Sequence, residues 1–242
     1  MINDVRNTVL SVLSKDNNGY ITPEQFNLYA KQAQMEIFEQ YFYEYSNATN
    51  KRNLHRHTTG LGDIPKRIAE VINRFRGSGV LTYDAGSLNF NLPIDTVTGL
   101  PIPIYSLGVV STDAGNEIEC VQQNDILRLN SSLDTAPTLT YPVYTMIGDE
   151  IRVYPSSIDG TTTSVLIDYI RFPKEPKWTY TMISSEPVFN GSASDYQDFE
   201  LEPDDEMNLV LKILSYAGVQ IGDFNLAKAA KGDEIQEIQL QK

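Results

Sequence analysis

The chain has 242 residues, 41% of them hydrophobic, with a formal net charge of −13 and a single cysteine. At about 100–200 residues per domain this is one large domain or two smaller ones, able to bury a core and too apolar to be disordered. The acidic balance excludes nucleic-acid binding through a broadly basic surface, the lone Cys120 excludes an intrachain disulfide framework and suits a reducing cytoplasm, and no apolar run reaches the length of a membrane span.

The first ten residues, MINDVRNTVL, lack the basic, apolar and cleavage regions of a signal peptide. Ile2, Val5, Val9, Val12 and Leu13 recur at helical spacing, predicting a helix over 2–14. The next stretch, SKDNNGYITPEQF, looks like a calcium loop between two helices. With Gly19 at the loop's sixth position, Asp16, Asn18 and Ile21 fall where a calcium loop wants them, but Ser14 and Gln25 replace its first carboxylate and its bidentate glutamate. Calcium needs several charged oxygens, so the better reading is a helix connection. Gly19 or Asn18 ends the first helix, Thr22 caps the second, Pro23 takes its first position, and Gln25 completes a T-x-x-Q capping box. Ile21 and Phe26 are placed to form a hydrophobic staple.

Phe26, Ala30, Ala33, Ile37 and Tyr41 carry the second helix over 23–45. The polar stretch 46–62 has no period and reads as a long loop of the kind a partner orders. A third helix is expected over 64–75, with Asp63 as its N-cap and Pro65 in its first turn. From about residue 79 to 190, short β-rich runs alternate with turn residues; Tyr83–Ser87 and Ile147–Glu150 read as hairpin turns, and 124–130 as one short helix. Helix returns after residue 200, with Pro203 at its first position, Asp204, Asp205 and Glu206 in its first turn, and a stripe of Met207, Val210, Leu211, Leu214 and Ala217. A weaker helix is expected over 223–241.

Few side chains suggest chemistry. His55 and His57 form an H-x-H pair with no acidic or thiol partner nearby, and they are the only histidines. Thr59–Gly62 and Arg76–Gly79 are glycine-rich, but neither leads from a strand into a helix as a phosphate loop does, so both read as linkers. Glu117 and Glu119 lack an acid/base partner, and nothing near Cys120 in sequence would activate its thiol. The reading is therefore of a protein that is not an enzyme and holds no metal or cofactor. Charge is uneven, however. Residues 51–76 carry seven Lys/Arg against Asp63 and Glu70, whereas 195–206 carry seven acids and no base.

The segments GYITPEQFNLYAKQAQMEIFEQYF, GDIPKRIAEVINRF, APTLTYPVYTMIGDEIRVYPSSI, IDYIRFPKEPKWTY and SASDYQDFELEPDDEMNLVLKILSYAG together resemble a virion structural protein of crAss-like and related short-tailed phages, the ring (adaptor) protein of the head-to-tail connector. The most specific part is Tyr169-Ile170-Arg171-Phe172-Pro173 followed by Pro176 and Trp178; the resemblance covers most of 19–217 and is least over 46–62 and beyond about 220. It implies a ring of twelve identical subunits in the virion, assembled in the bacterial host cytoplasm. The ring would bind the portal protein and adjacent tail ring proteins, away from any membrane, with DNA passing through its lumen without sequence-specific binding.

The expected fold class is α+β: a helical bundle from the N- and C-terminal segments with an inserted antiparallel β-sandwich or barrel-like domain. The expected divisions are 1–78, 79–200 and 201–242, the last packing on the first. A ring needs two complementary faces. Lys51, Arg52, His55 and Arg56 on one subunit, and Asp195, Asp198, Glu200 and Glu202 on a neighbour or the portal, offer such a pair. The rival reading is a carbohydrate- or receptor-binding virion module with Trp178 and the tyrosines as an exposed platform.

Overall fold

The computed structural model of the chain describes residues 1–15, 20–53, 64–95 and 99–221. It is a mixed α+β protein whose sheets are antiparallel but for one strand pair. The chain divides into two compact units, Met1–Val71 with Pro173–Lys242, and Ile72–Phe172. Residues 173–200, read in the sequence with the β-rich part, fall in the first unit.

In the first unit, α1 (Ile2–Lys15) buries Ile2, Val5, Val9 and Leu13 on one stripe, as its spacing predicts. The second helix, α2, spans Pro23–Asn53. Its start is the expected capping box: Gln25 Oε1 accepts the Thr22 N–H at 3.0 Å, and Thr22 Oγ1 accepts the Gln25 N–H at 3.3 Å. Ile21 and Phe26 are both buried beside it. Gly19 lies outside the described residues, as does most of the calcium-like loop. The other end of α2 corrects the sequence reading, because 46–53 continue the helix. Those residues include no Gly or Pro, and extending an existing helix costs far less than nucleating one. Lys51 and Arg52 in the last turn complement the negative end of the helix dipole.

After α3 (Ile64–Asn73) and the second unit, the chain returns to this unit. It forms a hairpin of β9 (Tyr180–Ile183) and β10 (Glu186–Phe189), a 3-10 turn at Pro203–Asp205, and α5 (Glu206–Ile221). α5 packs along both α1 and α2. Its buried face is Leu209, Val210, Ile213, Leu214 and Ala217, while Met207 is exposed. The predicted stripe was thus slightly out of phase, because apolar residues run almost all round this helix and leave its period ambiguous. Lys212 sits within that face, only 7% exposed, and its Nζ reaches Glu36 Oε2 on α2 at 3.2 Å.

The second unit holds two sheets. One has the order β1-β8-β4, from β1 (Arg76–Val80), β4 (Ile104–Thr112) and β8 (Val165–Arg171). The other has the order β2-β3-β7-β6-β5, from β2 (Thr82–Asp84), β3 (Asn89–Asn91), β5 (Glu119–Cys120), β6 (Val143–Ile147) and β7 (Glu150–Tyr154). Among the described residues only β5–β6 is parallel; the connection between them carries α4 (Gln123–Asn130). Both sheets contribute to one core that includes Leu81, Phe90, Val110, Ile151, Val165 and Ile167. β8 alternates, burying Val165, Ile167 and Tyr169. At the β6–β7 turn Gly148 has φ 61°, as the first central residue of a type II′ hairpin requires.

Arg76–Gly79, read as a linker, is strand β1. The glycines are there for closeness. A Cβ on Gly77 would lie 2.7 Å from the Tyr169 ring, and one on Gly108 in β4 would lie 2.9 Å from the Asp168 carbonyl oxygen.

Candidate interaction surfaces

The side chains singled out in the sequence are dispersed. Lys51 and Arg52 are exposed at the C-terminal end of α2, with no ion-pair partner among the described residues. His55 and Arg56 lie outside the described residues, as do His57 and Thr59–Gly62. Glu117 and Cys120 are in the second unit, Cys120 exposed on β5. Among the described residues no group of three or more His, Cys, Asp or Glu could hold a metal ion. No helix among them is long and apolar enough to cross a membrane.

The acidic stretch 195–206 is largely engaged by its own chain. Asp195 pairs with Lys177 at 2.7 Å, which holds its carboxyl below the usual range. Asp198 Oδ1 accepts the N–H of Ile2 and that of Phe199, each at 2.8 Å. It thereby caps the first turn of α1 from nearly 200 residues away in sequence. Glu200 Oε2 accepts the Lys174 N–H at 2.7 Å, and Asp204 pairs with Arg67 at 2.8 Å. Asp205 accepts the Tyr41 hydroxyl; burial, then that bond, keep the phenol protonated far above its ordinary range. Glu202, half-buried, precedes the 3-10 turn. Asp195 and Asp204 remain exposed while so paired, at 55% and 74%.

Trp178 is 1% exposed and is no ligand platform. Its indole Nε1 donates to Asn3 Oδ1 at 3.1 Å, and the Arg6 guanidinium carbon lies 3.8 Å from its ring centroid. Burial pulls the Arg6 guanidinium below its ordinary value, partly offset by Tyr20. On its other neighbours, Trp178 stacks with Tyr180 and Phe189 of the β9–β10 hairpin at 5.6 and 5.9 Å. Its backbone is read by Asn27: Trp178 N–H donates to Asn27 Oδ1 at 2.8 Å, and Asn27 Nδ2 donates to the Trp178 carbonyl at 3.1 Å. One heptad along α2, Gln34, 2% exposed, donates to the Lys174 carbonyl at 2.8 Å and accepts the Glu200 N–H at 3.0 Å. Sequence reasoning missed both amides. Their signal was two amide side chains seven residues apart, beside the apolar stripe of α2.

No family model and no curated protein matches the chain.

The hairpin held by Trp178 exposes apolar side chains. Met182 is 61% exposed and Ile183 57%, with Val188 exposed beside them. Its turn places two serines, Ser184 and Ser185, at φ 52° and 69°. In the second unit, Leu127, Leu133, Leu139 and Tyr141 are exposed on and after α4. These surfaces can bind another chain through apolar and backbone contacts. None brings together a nucleophile, a base and an oxyanion donor.

Proposed function

We propose that the chain is a structural ring protein of a phage head-to-tail connector, linking portal to tail and forming part of the DNA conduit. The observation that supports this most is the chain path: a helical unit built from segments on both sides of a β-rich unit that is inserted between Val71 and Pro173. In this reading the helices act as a bundle that forms the body of the ring, and the two sheets act as a sandwich-like domain. The family resemblance of the sequence points the same way.

An acidic lining suits a conduit, because a basic lumen would bind phosphates and retain DNA. The exposed Lys51 and Arg52 at the end of α2 supply the positive side of the contact with a neighbouring subunit or the portal. The test is co-purification with the portal protein, followed by imaging of the assembled particle. A ring of subunits on the portal supports the reading. Absence of the chain from mature particles, or turnover of a substrate by the purified chain, would overturn it. Reversing charge at Lys51 and Arg52 should weaken assembly while leaving the fold intact.

A further inference from the structure

We propose that the outer edge of β9 pairs with the same edge of a second copy of this chain, giving a four-stranded sheet of order β10-β9-β9-β10 across a two-fold axis. The phase of the hairpin sets which backbone groups of β9 face outward. The Asn190 N–H donates to the Thr179 carbonyl at 2.9 Å, and the register pairs Thr181 with Val188 and Ile183 with Glu186. In an antiparallel ladder, hydrogen-bonded pairs alternate with unbonded ones. Residues 179, 181 and 183 therefore bond inward to β10, and Tyr180 and Met182 turn their N–H and C=O groups to the outer edge. Among the described residues no strand lies on that edge, because the sheet has two strands.

The opposite edge lacks a donor at Pro187. Pro187 pairs with Met182 in the register, so its missing N–H is the one that would have faced outward from β10. One open edge and one blocked edge allow association to stop at two copies and not grow into a fibre.

Three features identify a second copy as the occupant. First, β9 is self-complementary: with Thr181 opposite its own copy, Tyr180 exchanges both backbone hydrogen bonds with Met182 of the other copy, and the reverse, making four bonds. Tyr180 and Met182 then meet on one face as an apolar cross-strand pair. Second, the strand Tyr180–Ile183 carries no charge, so the pairing brings none of the chain's excess of acids into the ladder. Third, a two-stranded ribbon is marginal in water, and a four-stranded sheet is not. One strand pair is a small contact compared with a stable protein interface, so the dimer is weak and concentration-dependent. This inference concerns the free chain and does not rest on the connector reading.

The test is sedimentation equilibrium of the full chain from micromolar to millimolar concentration, alongside three variants. Wild type is expected to move from monomer to dimer. Met182→Pro removes the outward donor without touching the inward ladder, and should weaken dimerisation about tenfold or more with an unchanged melting profile. Pro187→Val restores a donor on β10 and should give species larger than a dimer. Thr181→Cys, with Cys120 changed to Ser, should form an intermolecular disulfide much faster than Ser132→Cys in the same background. A wild-type chain that stays monomeric at millimolar concentration overturns the proposal. So does a dimer indifferent to Met182→Pro, or a Thr181→Cys chain that crosslinks no faster than the control. A dimer lost in Met182→Pro from a chain that never binds portal upholds this pairing and removes the connector reading. Rings that form equally well with Met182→Pro, from a chain showing no dimer, do the reverse.

Discussion

Asn27 and Trp178, 151 residues apart, are joined by two hydrogen bonds that tie a side-chain amide to both backbone groups of one residue. With Gln34 one heptad later, α2 reads the backbone of the returning segment as a strand partner would. Changing Asn27 to Ala leaves a partly buried N–H and C=O without partners, at a cost of about 1–3 kcal/mol for such a group. Urea unfolding followed by the fluorescence of Trp178, the single tryptophan, should show a lower midpoint with an unchanged slope. Gln34→Ala should behave alike, and an Asn27→Ala change without effect would mean that the Asn27 bonds add nothing to the hold on this segment.

The capping box at the start of α2 gives a second expectation. Thr22→Ala should cost about 1 kcal/mol, and Thr22→Ser much less, because Ser keeps the oxygen that accepts the Gln25 N–H. Thermal melts of the two variants check the difference.

The β9–β10 turn gives a third. Ser184 and Ser185 both have positive φ, a region that Asn and Gly adopt more readily. Replacing the pair by Asn-Gly should stabilise the hairpin by about 1 kcal/mol, read as a higher melting temperature. A fall in melting temperature would show that the serine side chains contribute more than their backbone strain costs.

Alkaline pH gives a fourth. Burial, with bonding to Cys120, pushes the Tyr144 phenol up to about 12, and burial with Asp205 raises Tyr41 further. The unfolded chain loses these protons near pH ~10 while the folded chain keeps them. Stability from these phenols is therefore complete below the unfolded value and declines as pH rises from there towards the folded value. Phenolate absorbance during an alkaline titration should show late-titrating tyrosines, and Tyr41→Phe should remove one of them.

Local signals were legible wherever neighbouring residues act on each other. Thr22 and Gln25 are three apart and announce their own helix start, and Val165, Ile167 and Tyr169 announce a half-buried strand. Signals were lost where the partner is distant. Nothing beside Asp198 in sequence shows that it caps α1, and nothing beside Gly77 shows the Tyr169 ring above it. The acids of 195–206 looked like an open face because Lys177 and Arg67 are brought to them only by the fold. Residues 46–53 looked like a loop because a polar continuation of a formed helix carries no period. The β-rich insertion and the helices flanking it were visible from composition. The attachment of 173–200 to the helices was not, since its strands resemble those before it.

The division of the chain also sets an order for its synthesis. Ile72–Phe172 is one continuous stretch, whereas the helical unit needs residues from Pro173 onward to complete α1 and α2. As the polypeptide leaves the ribosome, the middle of the gene product can close its own core while the first two helices still wait for Asp198, Trp178 and α5. An expressed fragment of 72–172 should therefore fold by itself, and a nascent chain halted before residue 173 should leave its leading helices open to chaperones and proteases.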